Sequence, residues 1–183
     1  VSRFEFKVAM VAFVGVLLLG ILKGVLLAAV ASILMLLRKG SQPRVAFLGR
    51  IPHSRRYSDL SRHPDNEVVP GLLIFRVESS VMYFNAEHIR QAVLSQARTA
   101  SALRFVIGDL SSSPYVDVSG ARMLSKLKDE LAARGAVLRL AEARADVRDL
   151  LRAEGLETKV GRIDRFSTVA DVVDACERGG GEA

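Results

Sequence analysis

Cysteine is all but absent. Cys176 stands alone, so no disulfide can close within the chain, and such usage fits a reducing compartment. Histidine is scarce too. His53, His63 and His88 are scattered and share no metal-ligand spacing with one another or with Cys176, which argues against a zinc site. A glycine-rich phosphate loop is lacking, since the glycines at 179–181 have no Lys-Ser/Thr neighbour and no preceding strand. No serine sits in a nucleophile elbow. These absences read as a protein that is not an enzyme and carries no metal and no cofactor.

Polar residues are equally rare between Val8 and Leu37, where only Lys23 and Ser32 interrupt an apolar run. The run exceeds a soluble core helix in length. It mixes Leu, Val, Ile and Ala with Gly15, Gly20 and Gly24, as membrane helices tolerate. It is too long for a signal-peptide core, its start carries Glu5, and no small-residue cleavage site follows Leu37. One continuous helix would be about 45 Å long at roughly 1.5 Å per residue, against a hydrocarbon core of about 30 Å. A lysine at mid-membrane costs about 3 kcal/mol. Two short segments, 4–19 and 22–37, with Lys23 near a turn between Gly20 and Gly24, relieve both problems; one long tilted helix is the alternative. The first residue is Val, and two short spans are too few for a pore or carrier, so the chain reads as part of a longer protein.

Acidic residues are the next scarcity. Between 38 and 62, Arg38, Lys39, Arg44, Arg50, Arg55, Arg56 and Arg62 face only Asp59, and the whole chain carries a formal charge of +6. Basic flanks of apolar segments stay on the cytoplasmic side, which puts everything after Leu37 in the cytoplasm beneath a cell membrane. Arg38, Lys39 and Arg44 are the residues expected against anionic headgroups, each contributing about 1 kcal/mol. Nucleic acid is the weaker reading of this basic run. It abuts an apolar segment and has little aromatic interleaving.

Beyond the connector the pattern alternates. Apolar runs at 45–48, 72–77, 81–84, 103–110 and 136–140 read as strands. A helix opens at Asn85 or Ala86 with Ile89, Val93 and Ala97 on one face. A second, 121–133, carries the stripe Ala121, Leu124, Leu127 and Leu131 and stops at Gly135. Val147, Leu150 and Leu151 mark a third, ending at Gly155. Thr168 can cap a last helix whose face is Val169, Val172, Val173 and Cys176. The expected organisation is apolar membrane segments over 1–37, a basic linker over 38–69, a small α/β domain with a mixed β-sheet and packed helices over 70–178, and a flexible tail at 179–183.

The run from Asp109 to Gly120 resembles the signature loop of STAS domains, shared by anti-sigma-factor antagonists and the tails of SulP anion transporters. In that family a strand ends at Asp-Leu-Ser, here Asp109, Leu110 and Ser111, and Asp-x-Ser-Gly opens the next helix, here Asp117, Ser119 and Gly120. The serine phosphorylated in the antagonists matches Ser119. Upstream, Gly49-Arg50-Ile51-Pro52, Arg62-His63-Pro64, Pro70-Gly71-Leu72-Leu73-Ile74-Phe75-Arg76 and Tyr83-Phe84-Asn85-Ala86 resemble the SulP linker and first STAS strands. Gly20-Ile21-Leu22-Lys23-Gly24-Val25-Leu26-Leu27 resembles the junction of that family's last two membrane segments.

The resemblance implies a regulatory or stabilising tail of a secondary transporter of inorganic anions, sulfate-like or bicarbonate-like. Its implied partners are the transporter core formed by earlier helices, the lipid bilayer, a second copy in a dimer, and a regulatory protein at the loop. The alternative is a membrane-tethered phosphoswitch like the antagonists. Ser119, Asp117, Asp109 and Ser111 are the candidate regulatory residues. A phosphate on Ser119 would sit at a helix N-terminus beside Asp117. The plainer reading is that Asp117 or Ser119 caps the helix and that Asp109 ends its strand and holds the loop.

Overall fold

The structure is a computed structural model that describes Phe6, Met10, Phe13 and residues 21–100 and 102–179. It divides into two compact units, Val1–Gln42 and Pro43–Ala183. In the first, helix α1 (Ile21–Ser41) runs unbroken through Lys23 and Gly24. Lys23 lies in its first turn, and the residues just before the helix, 14–20, lie outside the described residues. A glycine costs a helix only about 1 kcal/mol, and the leucine-rich neighbours offset it. Leu22, Val25, Leu26, Leu27, Val30, Ile33, Leu34, Leu36 and Leu37 are all exposed. Among the described residues no helix is long and apolar enough to cross a membrane. Of the expected segment 4–19, all but Phe6, Met10 and Phe13, which are helical, lies outside the described residues.

The second unit is built on five strands: β1 (Val45–Arg50), β2 (Tyr57–Asp59), β3 (Leu72–Val77), β4 (Phe105–Asp109) and β5 (Val137–Ala141). Their order in the sheet is β2-β1-β3-β4-β5. β1 is antiparallel to both β2 and β3, whereas β3, β4 and β5 are parallel, with Leu72 opposite Phe105 and Phe105 opposite Val137. A mixed sheet covered on both faces explains why β3 reads Leu-Leu-Ile-Phe-Arg-Val without alternation: both sets of side chains need apolar partners. Leu73, Phe75 and Val77 pack with helices α2 (Ala86–Thr99), α3 (Val118–Ala132), α4 (Ala145–Ala153) and the short α5 (Glu157–Val160). Leu72 and Ile74 join Ala46, Leu48 and Ile107 under α6 (Val169–Glu177).

The helical stripes read from sequence are the buried faces. Ile89, Val93 and Ala97 of α2 and Ala121, Leu124, Leu127 and Leu131 of α3 are all inside. Gly135, at φ 76°, lets the Ala136 N–H return to Leu131 O at 3.0 Å, closing α3. Thr168 caps α6 in a reciprocal box: its hydroxyl accepts from Asp171 N, and the Asp171 carboxylate accepts from Thr168 N. Burial pushes the Cys176 thiol up, so this cysteine is an inert packing residue.

Two expectations need correction. The stretch 81–84 is not a strand. Only Val81 pairs, in a single bridge to Val116, because the Asn85 side chain accepts from Met82 N at 2.9 Å and turns the chain into α2. The basic linker is not a linker from Pro43 onward, since β1 and β2 are sheet strands inside the folded unit. Two of its cations, Arg50 and Arg55, are met by acids that lie far off in sequence, and Arg44 by Asp59 within the connector itself. Arg44 pairs with Asp59, and Arg50 donates to Glu177 at 2.9 Å. Arg55 donates to Asp171 at 2.9 Å and Asp174 at 2.6 Å. The clasp fastens the β1–β2 hairpin to α6.

The candidate regulatory loop

β4 delivers Asp109 to the carboxyl end of the parallel strands, where it is fully buried. A carboxylate there must be paired. Arg76, opposite it on β3, donates from Nε to Oδ2 at 2.7 Å, and Ser111 N donates to Oδ1 at 2.9 Å. Asp109 thus ends the strand and turns the loop. Ser113, also buried, donates its hydroxyl to Val77 O at 3.3 Å and fixes the loop to the neighbouring strand.

The second half of the loop is held from the other side. Val81 N donates to Tyr115 O at 2.9 Å and Asp117 N to Val81 O at 3.0 Å. The Asp117 side chain then does two things. Oδ1 accepts from Gly120 N at 2.7 Å, capping α3, and Oδ2 accepts from Tyr83 N at 2.9 Å, tying the cap to the segment before α2. Gly120 is needed for that approach: a Cβ there would stand 2.7 Å from Val81 O and 3.0 Å from Val116 Cγ1. Asp117 is therefore the cap, and Ser119 is not. Ser119 is the second residue of α3, exposed, with no side-chain hydrogen bond among the described residues.

The four candidate residues do not form one site. Asp109 and Ser111 line a cleft of about 520 Å³ with Arg55, Arg56, Arg76 and Glu142. Asp117 lines a separate groove of about 250 Å³ beside α4. The role of Arg76 was not legible in the sequence, because its partner is 33 residues away and only strand register brings them together. Tyr83 was missed for the same reason: it contributes a backbone N–H, which no side-chain pattern announces. Arg38 and Lys39 are exposed in the last turn of α1, while Arg44, expected beside them, is held by Asp59 and donates to Ser61 Oγ at 2.9 Å. Among the described residues no group of three or more His, Cys, Asp or Glu side chains could hold a metal ion.

Comparison with known proteins gives the family and the fold. The family model of the STAS domain matches residues 63–173. Sulfate transporter 3.1 of Arabidopsis thaliana is 30% identical over 186 residues, covering 96% of this chain and 28% of its own length. Low affinity sulfate transporter 3 of Stylosanthes hamata is 32% identical over 187 residues, 96% of this chain and 29% of its own. The chain thus spans under a third of the length of the curated relatives it matches. Among solved structures, the murine solute carrier 26 family member A9 anion transporter in the inward-facing state superimposes with a TM-score of 0.81 over 97% of this chain and 29% of that one, at 21% identity, a likeness of fold. With a family match over more than half its length, and sulfate transporters aligned to nearly all of it, the chain belongs to the STAS domain family, in the form carried by SulP-type proteins.

Proposed function

We propose that this chain serves as the C-terminal regulatory and stabilising part of a secondary transporter of inorganic anions, sulfate-like or bicarbonate-like. One observation carries the reading. The alignment to proteins named as sulfate transporters takes in 96% of the chain, so it extends upstream of the STAS domain into the apolar segment. In this reading the apolar segments lie in the cell membrane against the transporter core, and the α/β unit faces the cytoplasm. Arg38 and Lys39 meet anionic headgroups; Arg44, whose charge Asp59 already meets, contributes less. Dimer contacts with a second copy belong to the same reading.

Ser119 is the residue through which the loop is regulated. It is exposed at the positive end of a 15-residue helix, and Asp117, not Ser119, bears the structural load of the cap. A phosphate on Ser119 adds nearly two negative charges without breaking a native hydrogen bond. Asp109 and Ser111 hold the loop and do not themselves switch.

The test is a chimera. Joining this chain to the membrane core of the Stylosanthes transporter, in place of the matching part, should give sulfate uptake in cells. The chain alone in proteoliposomes should give none, because carriers of this kind bind substrate between helices of two repeats. A chimera that reaches the membrane and takes up nothing would refute the reading, as would uptake by the chain alone. Protease protection in oriented vesicles should leave the α/β unit accessible from the cytoplasmic side only.

A further inference from the structure

The groove beside the regulatory loop has a composition of its own. Its apolar walls include Tyr115, Val118, Val147 and Leu150, and its charged lining residues are Asp117 and Asp146, with no cation among them. Tyr115 and Val118 are exposed and Leu150 half-exposed, so a docked side chain can reach them. Neither carboxylate has an ion-pair partner among the described residues: Asp117 at the start of α3 and Asp146 in the first turn of α4 meet helix N-termini, which offset part of their charge but supply no full counter-charge. Arg144, the N-cap residue of α4, is exposed and does not line the groove, and two other nearby guanidiniums have partners. Arg122 pairs with Glu154 at 3.6 Å, and Arg148 donates to Ala143 O at 2.7 Å.

We propose that this groove docks a basic segment of a protein partner. One bulky apolar side chain seats between Tyr115, Val118 and Leu150, flanked by Lys or Arg residues that meet Asp117 and Asp146. The charge decides between occupants. An acidic protein segment or an anionic lipid surface would set like charges side by side over an apolar, poorly solvated floor, whereas a basic segment supplies the missing sign. The slot itself selects a single apolar anchor rather than a broad hydrophobic face, since about 250 Å³ holds little more than one large side chain.

The inference rests on the loop as a regulatory surface and gives that regulation a sign. Ser119 follows Val118, which lines the groove. A phosphate on Ser119 adds negative charge next to Asp117, so phosphorylation tightens the docking of a basic partner rather than releasing it.

The experiment uses the full chain in an uncharged maltoside detergent. The probe is a fluorescein-labelled, amidated peptide with one central leucine flanked by lysines and glycines, too polar to enter the micelle. Anisotropy should show saturable binding. Replacing its leucine by serine, or its lysines by glutamates, should weaken binding about tenfold or more. Asp146→Lys, at an exposed position, and Leu150→Ser, which also trims the edge of the core, should weaken it similarly, and Ser119→Glu should tighten it. Circular dichroism of each variant confirms the fold. Equal binding of the serine-substituted probe, which is polycation attraction alone, overturns the proposal. So does wild-type binding by Asp146→Lys, or no binding at all. If uptake by the chimera responds to Ser119→Asp but the probe does not bind, the groove is refuted and the regulatory loop stands. If the probe binds through Asp146 and uptake is indifferent to Ser119, the groove stands and the loop's role in transport falls.

Discussion

Asp117 and Ser119 offer a direct test of which residue holds the loop. Asp117→Ala removes two charge-assisted hydrogen bonds, to Gly120 N at 2.7 Å and Tyr83 N at 2.9 Å. Loss of the cap costs about 1 kcal/mol. The second bond joins two segments 34 residues apart and contributes about 1.5 kcal/mol, since its acceptor is charged. The expected loss is therefore about 2–3 kcal/mol, or about 6–9 °C in Tm for a unit of this size. Ser119→Ala should stay within about 0.5 kcal/mol, because the side chain is exposed and has no hydrogen bond among the described residues. Asp117→Asn keeps an acceptor without its charge and should fall between them. Urea denaturation of the segment 43–183, followed by far-UV circular dichroism at equal m-values, measures all three. Should Ser119→Ala cost as much as Asp117→Ala, or Asp117→Ala cost under about 0.5 kcal/mol, the assignment of the cap is wrong.

Gly120→Ala should destabilise the same unit by about 1–3 kcal/mol, because the new methyl meets a backbone oxygen that cannot give way; a neutral result would refute the close approach. Asp109→Ala leaves Arg76 without its buried partner and Ser111 N without an acceptor, and should cost about 3 kcal/mol in the same assay. The segment 43–183 should melt cooperatively on its own, whereas 70–183, stripped of β1 and the Arg55 clasp, should give an ill-defined spectrum; a cooperative melt of the shorter piece would contradict the sheet order. The Arg90 guanidinium, assisted by Gln91, draws the exposed Glu87 carboxyl down to about 2. A depressed pKa gives stability that is present above the ordinary carboxylate range and is lost as pH falls toward 2, so Glu87→Gln should reduce stability slightly at pH 7 and not at pH 2. A difference that grows on acidification would reverse the sign of this contribution.

Much of the α/β unit was legible because its periods are local. The stripe Ala121, Leu124, Leu127 and Leu131 can bury only as one helical face, and the apolar centre of 103–110, Val106 and Ile107, is interior, although Arg104 in the same run is exposed. Ends were less legible. α3 starts three residues before Ala121 because Asp117 caps it, and a cap is declared by a hydrogen bond, not by hydropathy. β2 was invisible: Tyr57-Ser58-Asp59 has no apolar alternation and exists as a strand because β1 offers it an edge. The four candidate residues were singled out by their motif. That Asp109 and Ser111 line one cleft, Asp117 another and Ser119 neither depends on how the loop is pinned, at Ser113 to Val77 and at Asp117 to Val81.

Composition and spacing determined the apolar segment and its abrupt basic end, the strand–helix alternation, the buried faces of the helices, and the motif that marks the loop. Each is a property of neighbours within about one or two turns of chain, where side-chain period and backbone geometry act directly. Tertiary structure alone decided that the basic connector carries the β1–β2 hairpin of the sheet, that Arg50 and Arg55 close on α6, that Asp109 is neutralised by Arg76, and that the cap belongs to Asp117. The last three are pairings across 33 residues or more or depend on a bond that only the folded loop can present. A charge written in the sequence states its sign but not its partner, and register, which brings distant strands side by side, is what chooses the partner.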